Sequence, residues 1–130
     1  MATATPFTLQ GFFRYPPDDG SPEADRDFSV QSSYLSKSEV DLNLVGAGSY
    51  TANFGTLTAL GAKGLLVEVA AAAPGATAAP INVRFNGGAE DVEISQGGFL
   101  AFGSPNPVAG ILGLEIIHTQ NACVKIRVLG

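Results

Sequence analysis

Residues 28–44 read FSVQSSYLSKSEVDLNL. Phe28, Val30, Tyr34, Val40, Leu42 and Leu44 fall on even positions, while Ser29, Gln31, Ser33, Lys37, Glu39, Asp41 and Asn43 take the odd ones. Successive side chains of a strand point to opposite faces, so this alternation predicts pleated chain with one apolar face. Only Leu35 interrupts the odd set, and Ser32, Ser36 and Ser38 dilute the even one. A helical period fits worse, because steps of three or four from Phe28 land on Gln31, Ser32 and Ser36. Two strands broken near Ser36 are the better reading.

The same alternation recurs downstream in Leu65, Val67, Val69 and Ala71; in Ile81, Val83 and Phe85; in Val92 and Ile94; in Leu112, Leu114 and Ile116; and in Val124, Ile126 and Val128. The opposite faces carry Glu68, Asn82, Arg84, Asp91, Glu93, Glu115, Lys125 and Arg127, the pattern of half-buried strands. Between the runs stand Gly46-Ala47-Gly48, Gly61 and Gly64, Pro74-Gly75, Asn86-Gly87-Gly88, Gly97-Gly98 and Pro105-Asn106-Pro107. Asn-Gly supplies the positive φ that a tight hairpin demands. Turns this closely spaced leave no room for crossover helices. The expectation is an all-β fold, an antiparallel β-sandwich of seven to nine strands in two sheets. Ala70–Ala79 is rich in a good helix former, but Pro74-Gly75 in its middle makes it a loop of small side chains.

A chain of 130 residues supplies one core, and the sequence divides it into two parts. Residues 1–27 contain Pro6, Pro16, Pro17 and Pro22, an acidic stretch from Asp18 to Asp27, and no sustained periodicity. They read as an extended N-terminal arm on a β-sandwich domain of residues 28–130. The arm also carries Phe7, Phe12, Phe13 and Tyr15, which a purely solvated tail would lack. These four are the candidate partner-binding residues, in an arm expected to be loose on the free protein and ordered against a partner.

The formal charge of −5 comes without any cluster of Lys or Arg, which argues against nucleic acid as a partner. No apolar run approaches the roughly 20 residues of a membrane span, and the first residues lack the pattern of a signal peptide. Neither a membrane association nor a secretory route is expected. A single cysteine, Cys123, excludes an intrachain disulfide, and one histidine leaves no Cys/His set for a metal. No cofactor is expected.

The candidates for catalysis are few. His118 follows Leu112, Leu114 and Ile116 on one alternate set, which points it at the core edge, where a backbone partner outweighs a role as general base or pH switch. Cys123 shares a face with Lys125 and Arg127, which can lower a thiol pKa, yet His118 faces the other way and no base is at hand. Asp18, Asp19, Asp25 and Asp27 lack the oxygen spacing of a calcium loop, and Asp91 with Glu93 on one strand cannot flank a sugar from both sides. Gly46-Ala47-Gly48-Ser49-Tyr50 lacks the rest of a nucleotide fingerprint and reads as a tight turn. The chain is expected not to be an enzyme.

The segments Pro80 to Gly87, Ile94 to Phe102, Ile111 to Thr119 and Ala122 to Gly130 resemble small structural proteins of tailed bacteriophages in their run of strand, Asn-Gly turn, Gly-rich turn, apolar strand and final strand. The resemblance implies a jelly-roll-like sandwich and a place in the virion, assembled in the host cytoplasm, as a capsid decoration or cement protein or a tail or neck component. Its implied partners are a major capsid or tail protein and further copies of the chain, with a homotrimer favoured. Leu66, Ala70, Ala72, Ala73, Ala78 and Ala79 recur on or beside one strand face and are the candidate self-association residues. The alternative is a carbohydrate- or cell-surface-binding module such as a tail or fibre component, although Trp is absent and only Tyr15, Tyr34 and Tyr50 remain to stack on a sugar.

Overall fold

The computed structural model describes residues 3–22, 24–55, 57, 59–70 and 80–130. The described residues form strands β1 (Thr5–Tyr15), β2 (Ala24–Tyr34), β3 (Lys37–Leu44), β4 (Gly48–Asn53), β5 (Gly64–Val69), β6 (Ile81–Phe85), β7 (Val92–Ile94), β8 (Phe99–Gly103), β9 (Gly113–His118) and β10 (Ala122–Leu129). Among the described residues β1 and β2 form a two-stranded sheet with each other, and the other eight strands make two four-stranded sheets, ordered β3-β10-β5-β8 and β4-β9-β6-β7. Every neighbouring pair is antiparallel, so the chain is all-β. Within the body the pairs β3:β10, β4:β9, β5:β8 and β6:β7 are nested, each lying inside the one before in sequence.

Alternation decides which side chains enter the core. On β10, Ala122, Val124, Ile126 and Val128 are buried, while Cys123 and Lys125 face solvent. β5 contributes Leu65, Val67 and Val69; β6 contributes Ile81 and Val83; β9 contributes Leu114 and Ile116. These residues of both sheets belong to one cluster with Phe54, Ala62 and Ile94, so the sheets face each other across a single apolar layer. β-branched residues dominate it, as a pleated surface favours.

The turn at Asn86-Gly87 has φ of 54° and 69° at its two central residues, and Gly88 N–H donates to Phe85 O at 2.9 Å. The dipeptide supplies the two consecutive positive φ values expected of it, but as a turn within a longer connection, since β6 ends at Phe85, β7 begins at Val92 and their ladder stops at Val83↔Val92. Asn86 is held there by its own side chain: Nδ2 donates to Gly110 O at 3.1 Å and Oδ1 accepts from Leu112 N–H at 2.7 Å. At the other end of the second sheet, Gly46 takes a φ of 66° but β4 begins two residues later, so the small-residue turn leads directly into a strand whose Tyr50 and Ala52 pack on the core.

The segment expected as an N-terminal arm contains a paired strand. Residues 5–15 form an unbroken ladder with residues 24–34, from Thr5↔Tyr34 to Tyr15↔Ala24. Residue 27 therefore lies inside β2, opposite Phe12. Phe28 and Val30, the start of the alternation that signals the body, belong to this hairpin.

Candidate docking surface

The register of the hairpin sorts its side chains onto two faces. One carries Phe7, Leu9, Gly11, Phe13 and Tyr15 of β1 with Arg26, Phe28, Val30, Ser32 and Tyr34 of β2, Arg26 standing opposite Phe13; the other carries Thr8, Gln10, Phe12 and Arg14 with Asp25, Asp27, Ser29 and Gln31. A two-stranded hairpin alone is marginal in water, so its apolar face needs a support. The root has one, the outer face of the first sheet. Phe7 sits over Gly64, where an added Cβ would lie 3.0 Å from the ring. Leu9 and Val30 sit over Gly103, where a Cβ would lie 3.2 Å from Leu9 Cδ2 and 2.8 Å from Val30 Cγ2. Glycine is required at this crossing because the ribbon rests on bare backbone.

Polar bonds fasten the same root. Lys63 Nζ donates to Ser33 O at 2.8 Å, Ser32 Oγ donates to Pro105 O at 3.0 Å, and Leu35 N–H donates to Gly130 O at 2.8 Å. Phe7 adds a tilted ring contact with Tyr34, centroids 6.3 Å apart.

Gly64 belongs to β5 and Gly103 to β8, which is the outermost strand of its sheet. Two residues of β1 carry the ribbon from one to the other, so from Gly11 onward it passes the sheet edge. Exposure agrees: Phe28, Tyr15 and Phe13 are 45, 50 and 65% accessible although they continue the docked face. Phe28 covers Gly11, whose missing side chain admits the ring at 2.6 Å from the ideal Cβ position. Phe13 and Tyr15 stack edge-to-face at 5.6 Å, and on the opposite face the Arg14 guanidinium lies 4.6 Å from the centre of Phe12 while donating to Asp25 Oδ2 at 3.1 Å. The overhang is preorganised by its own side chains, and among the described residues its aromatic rings remain exposed.

The four arm residues named from sequence thus divide. Phe7 is half-buried against the body, whereas Phe12, Phe13 and Tyr15 are exposed. Phe28 joins the exposed set; its place in a regular alternation concealed that it lies past the part of its face that rests on the body. Of the self-association residues, Leu66 is half-buried beside the hairpin in a small recess with Phe7 and Leu9, and Ala70 is exposed. Ala72, Ala73, Ala78 and Ala79 lie outside the described residues.

Two open depressions mark the body. A groove of about 560 Å³ at the hairpin root is lined by Leu35, Leu57, Ala59, Leu60, Pro107 and Val108, with Lys63 its charged member. Leu35, Leu60 and Val108 are 62, 57 and 83% accessible. The other, of about 460 Å³, lies on the second sheet and is mixed, with Thr51, Asn53, Arg84 and Glu115 beside Ala52, Leu112 and Leu114 in its lining. Arg84 donates to Asp91 and lies 3.8 Å from Glu115; the hydrogen bond to Asp91, and then the charge attraction, hold its guanidinium above the ordinary pKa.

The remaining candidates lie apart. His118 is buried, its Nδ1 2.6 Å from Gly46 O and 3.3 Å from Gln120 O, so the ring is held by backbone carbonyls. Cys123 is exposed on the outer face of β10, Sγ 3.7 Å from Asn43 Oδ1. Glu93 is exposed on β7, the edge of its sheet, and Asp91 is occupied by Arg84. Among the described residues no group of three or more His, Cys, Asp or Glu is arranged to hold a metal ion. The sequence matches no family model, and no curated protein or solved structure matches it.

Proposed function

We propose that this protein is a non-enzymatic structural component of a virus particle, a capsid decoration or cement protein that self-associates and docks on a neighbouring capsid or tail protein through its N-terminal hairpin. The observation that carries the reading is the overhang: three exposed aromatic side chains continue an apolar face whose first half is already seated on the body. An exposed apolar patch of this kind marks an interaction surface. The nested antiparallel pairing of β3 to β10 supports reading the body as an eight-stranded jelly roll, an architecture that serves capsids and lectins alike. The resemblance of residues 80–130 to phage structural proteins tilts the choice to the virion.

The test is incorporation of the chain into particles. Removing residues 1–24 would also strip Val30 of its strand partner, so point substitutions are cleaner. Phe12→Ser, Phe13→Ser and Tyr15→Ser together should leave a folded body that no longer copurifies with particles. Undiminished incorporation of the triple variant would sink the proposal.

The depression on the second sheet supports a second reading, binding of a neutral glycan, since the hydroxyls and C–H faces of a sugar suit a lining that mixes Thr51, Asn53 and Glu115 with Leu112 and Leu114. Tyr50 does not serve it, because its side chain packs against the core. Specific binding on a glycan array, abolished by Glu115→Gln, would establish this alternative.

A further inference from the structure

We propose that the depression on the second sheet seats a single neutral six-membered sugar ring, on the face of the protein opposite the hairpin. The inference rests on the glycan reading of this depression and deepens it by naming the ligand and the groups that would hold it. Register places the lining in two rows across β4, β9 and β6. Thr51 pairs with Glu115 and Glu115 with Arg84, and the inward turn of Leu114 and Ile116 puts this row on the outer face. Two residues along, about 7 Å away at strand rise, Asn53 pairs with Gly113, and Asn86 N–H donates to Gly113 O at 3.0 Å. The middle of the second row carries no side chain, so the outer face is hollow there. Leu112, 39% accessible, stands at its end.

The polar groups around the hollow are already oriented. Arg84 is fixed by Asp91, which accepts from its Nε and, more weakly at 3.5 Å, from Nη2. Nη1 then lies 3.8 Å from Glu115 Oε1, too far for a hydrogen bond. A hydroxyl oxygen fits between the two at about 2.7–3.0 Å from each, accepting from Nη1–H and donating to Oε1. On the other side, Asn53 Oδ1 accepts from Gly55 N–H at 2.8 Å, which orients the amide and leaves its Nδ2 hydrogens to a second hydroxyl. Gly113 and the Leu112 side chain offer the C–H face of a ring its floor. One cation against two carboxylates gives Arg84, Asp91 and Glu115 a net charge of +1 − 2 = −1, which disfavours phosphates, sulfates and uronic acids.

Position decides what the seat can meet. The hairpin rests on the outer face of the first sheet, over Gly64 and Gly103, whereas the seat opens on the outer face of the second, so both sheets and the core stand between them. A protein docked through its hairpin therefore leaves the seat uncovered by that contact.

Amide NMR titration of the full chain with methyl glycosides of glucose, galactose and mannose supplies the test, with glucuronic acid and glucose 6-phosphate as anionic counterparts. At least one neutral glycoside should give saturable shifts in residues 51–53, 84–88 and 112–115 and none in β1 or β2, with the Kd of about 1–10 mM that one ring's few contacts allow. Glu115→Ala removes the charged acceptor and should weaken binding at least about 10-fold; Asn53→Ala removes the opposite donor and should weaken it at least about 3-fold. The remaining amides of both variants should keep their wild-type shifts. The anionic sugars should bind at least about 10-fold more weakly than the tightest neutral glycoside. Absence of saturable shifts up to about 100 mM of every neutral glycoside would overturn the proposal, as would binding that survives both substitutions or anionic sugars that bind as tightly. The triple hairpin variant should bind the glycoside like wild type, and loss of binding there would overturn the separation of the two faces. If an oligosaccharide on the array binds in a Glu115-dependent way while no single ring does, the glycan reading stands and this one-ring seat fails; if no glycan binds at all, both fail.

Discussion

The root and the end of the hairpin carry the same kind of face and meet different fates. Phe7, Leu9 and Val30 lie over glycines of the body, whereas Phe13, Tyr15 and Phe28, on the same side of the same ribbon, lie beyond its edge. Alternation creates an apolar face; only the layer opposite decides whether that face becomes core or surface. The body illustrates the first outcome throughout, since the inward residues of β5, β6, β9 and β10 are covered by the opposing sheet.

Substitutions along that gradient should separate the two outcomes. The largest effect belongs to the core: Ile116→Ala or Ile126→Ala, each removing a side chain at most 2% exposed, should cost about 2–5 kcal/mol. Chemical denaturation should show a lower midpoint with unchanged slope. A cost below about 1 kcal/mol at both sites would mean that the two sheets do not share a tightly packed layer.

A smaller effect is expected at the seat. Gly103→Ala puts a methyl group 2.8 Å from Val30 and 3.2 Å from Leu9, so the ribbon must lift or the side chains must leave their rotamers. Overpacking of this kind costs about 1–3 kcal/mol. Hydrogen exchange should quicken in β1 and β2 while the amides of β10 keep their protection, because only the support of the hairpin is disturbed. At the free end, Phe13→Ser with Tyr15→Ser should change the stability of the monomer by no more than about 0.5 kcal/mol. A large loss there would show that the overhang is covered by its own chain.

How much of this was legible in the sequence follows from the same contrast. β3, β6, β7 and β10 were visible because Val, Leu and Ile alternate with charged or polar residues, and His118 was placed at the core edge by its position in such a series. β4 was concealed, since Gly48-Ser-Tyr-Thr-Ala-Asn53 offers no aliphatic series and only Tyr50 and Ala52 reach the core. β1 was concealed for a different reason. Phe12 and Phe13 are adjacent, so the alternation through Phe7 and Leu9 breaks at the point where one face ceases to be buried and both faces become aromatic. Pro16, Pro17 and the acids that follow gave the connection the composition of a tail. Asp19-Gly20, with Gly20 at a φ of 81°, was the turn signal within it. The groove at the root had no sequence signature, because Leu35, Leu60 and Val108 come from three loops and meet only through the fold.

That turn provides the smallest and most local test. Asp19 Oδ1 accepts hydrogen bonds from Ser21 Oγ at 2.6 Å and from Ser21 N–H at 3.0 Å. The side-chain bond, and after it the backbone bond, hold the Asp19 carboxyl below its ordinary pKa. A carboxylate whose pKa is lowered by folding stabilises the folded form above its unfolded pKa, near pH 4, and that contribution disappears as pH falls through the lower folded value. The turn should therefore keep its order at neutral pH and loosen only in acid. Ser21→Ala removes the larger of the two causes, so an NMR titration of the Asp19 side chain should show its midpoint moving up toward the ordinary carboxylate value. The body amides should not respond, because the turn lies at the far end of the overhang. If the midpoint stays where it is in the wild type, the Asp19–Ser21 bond does not order the turn, and the rigidity of the free end rests on the ladder and the aromatic rings alone.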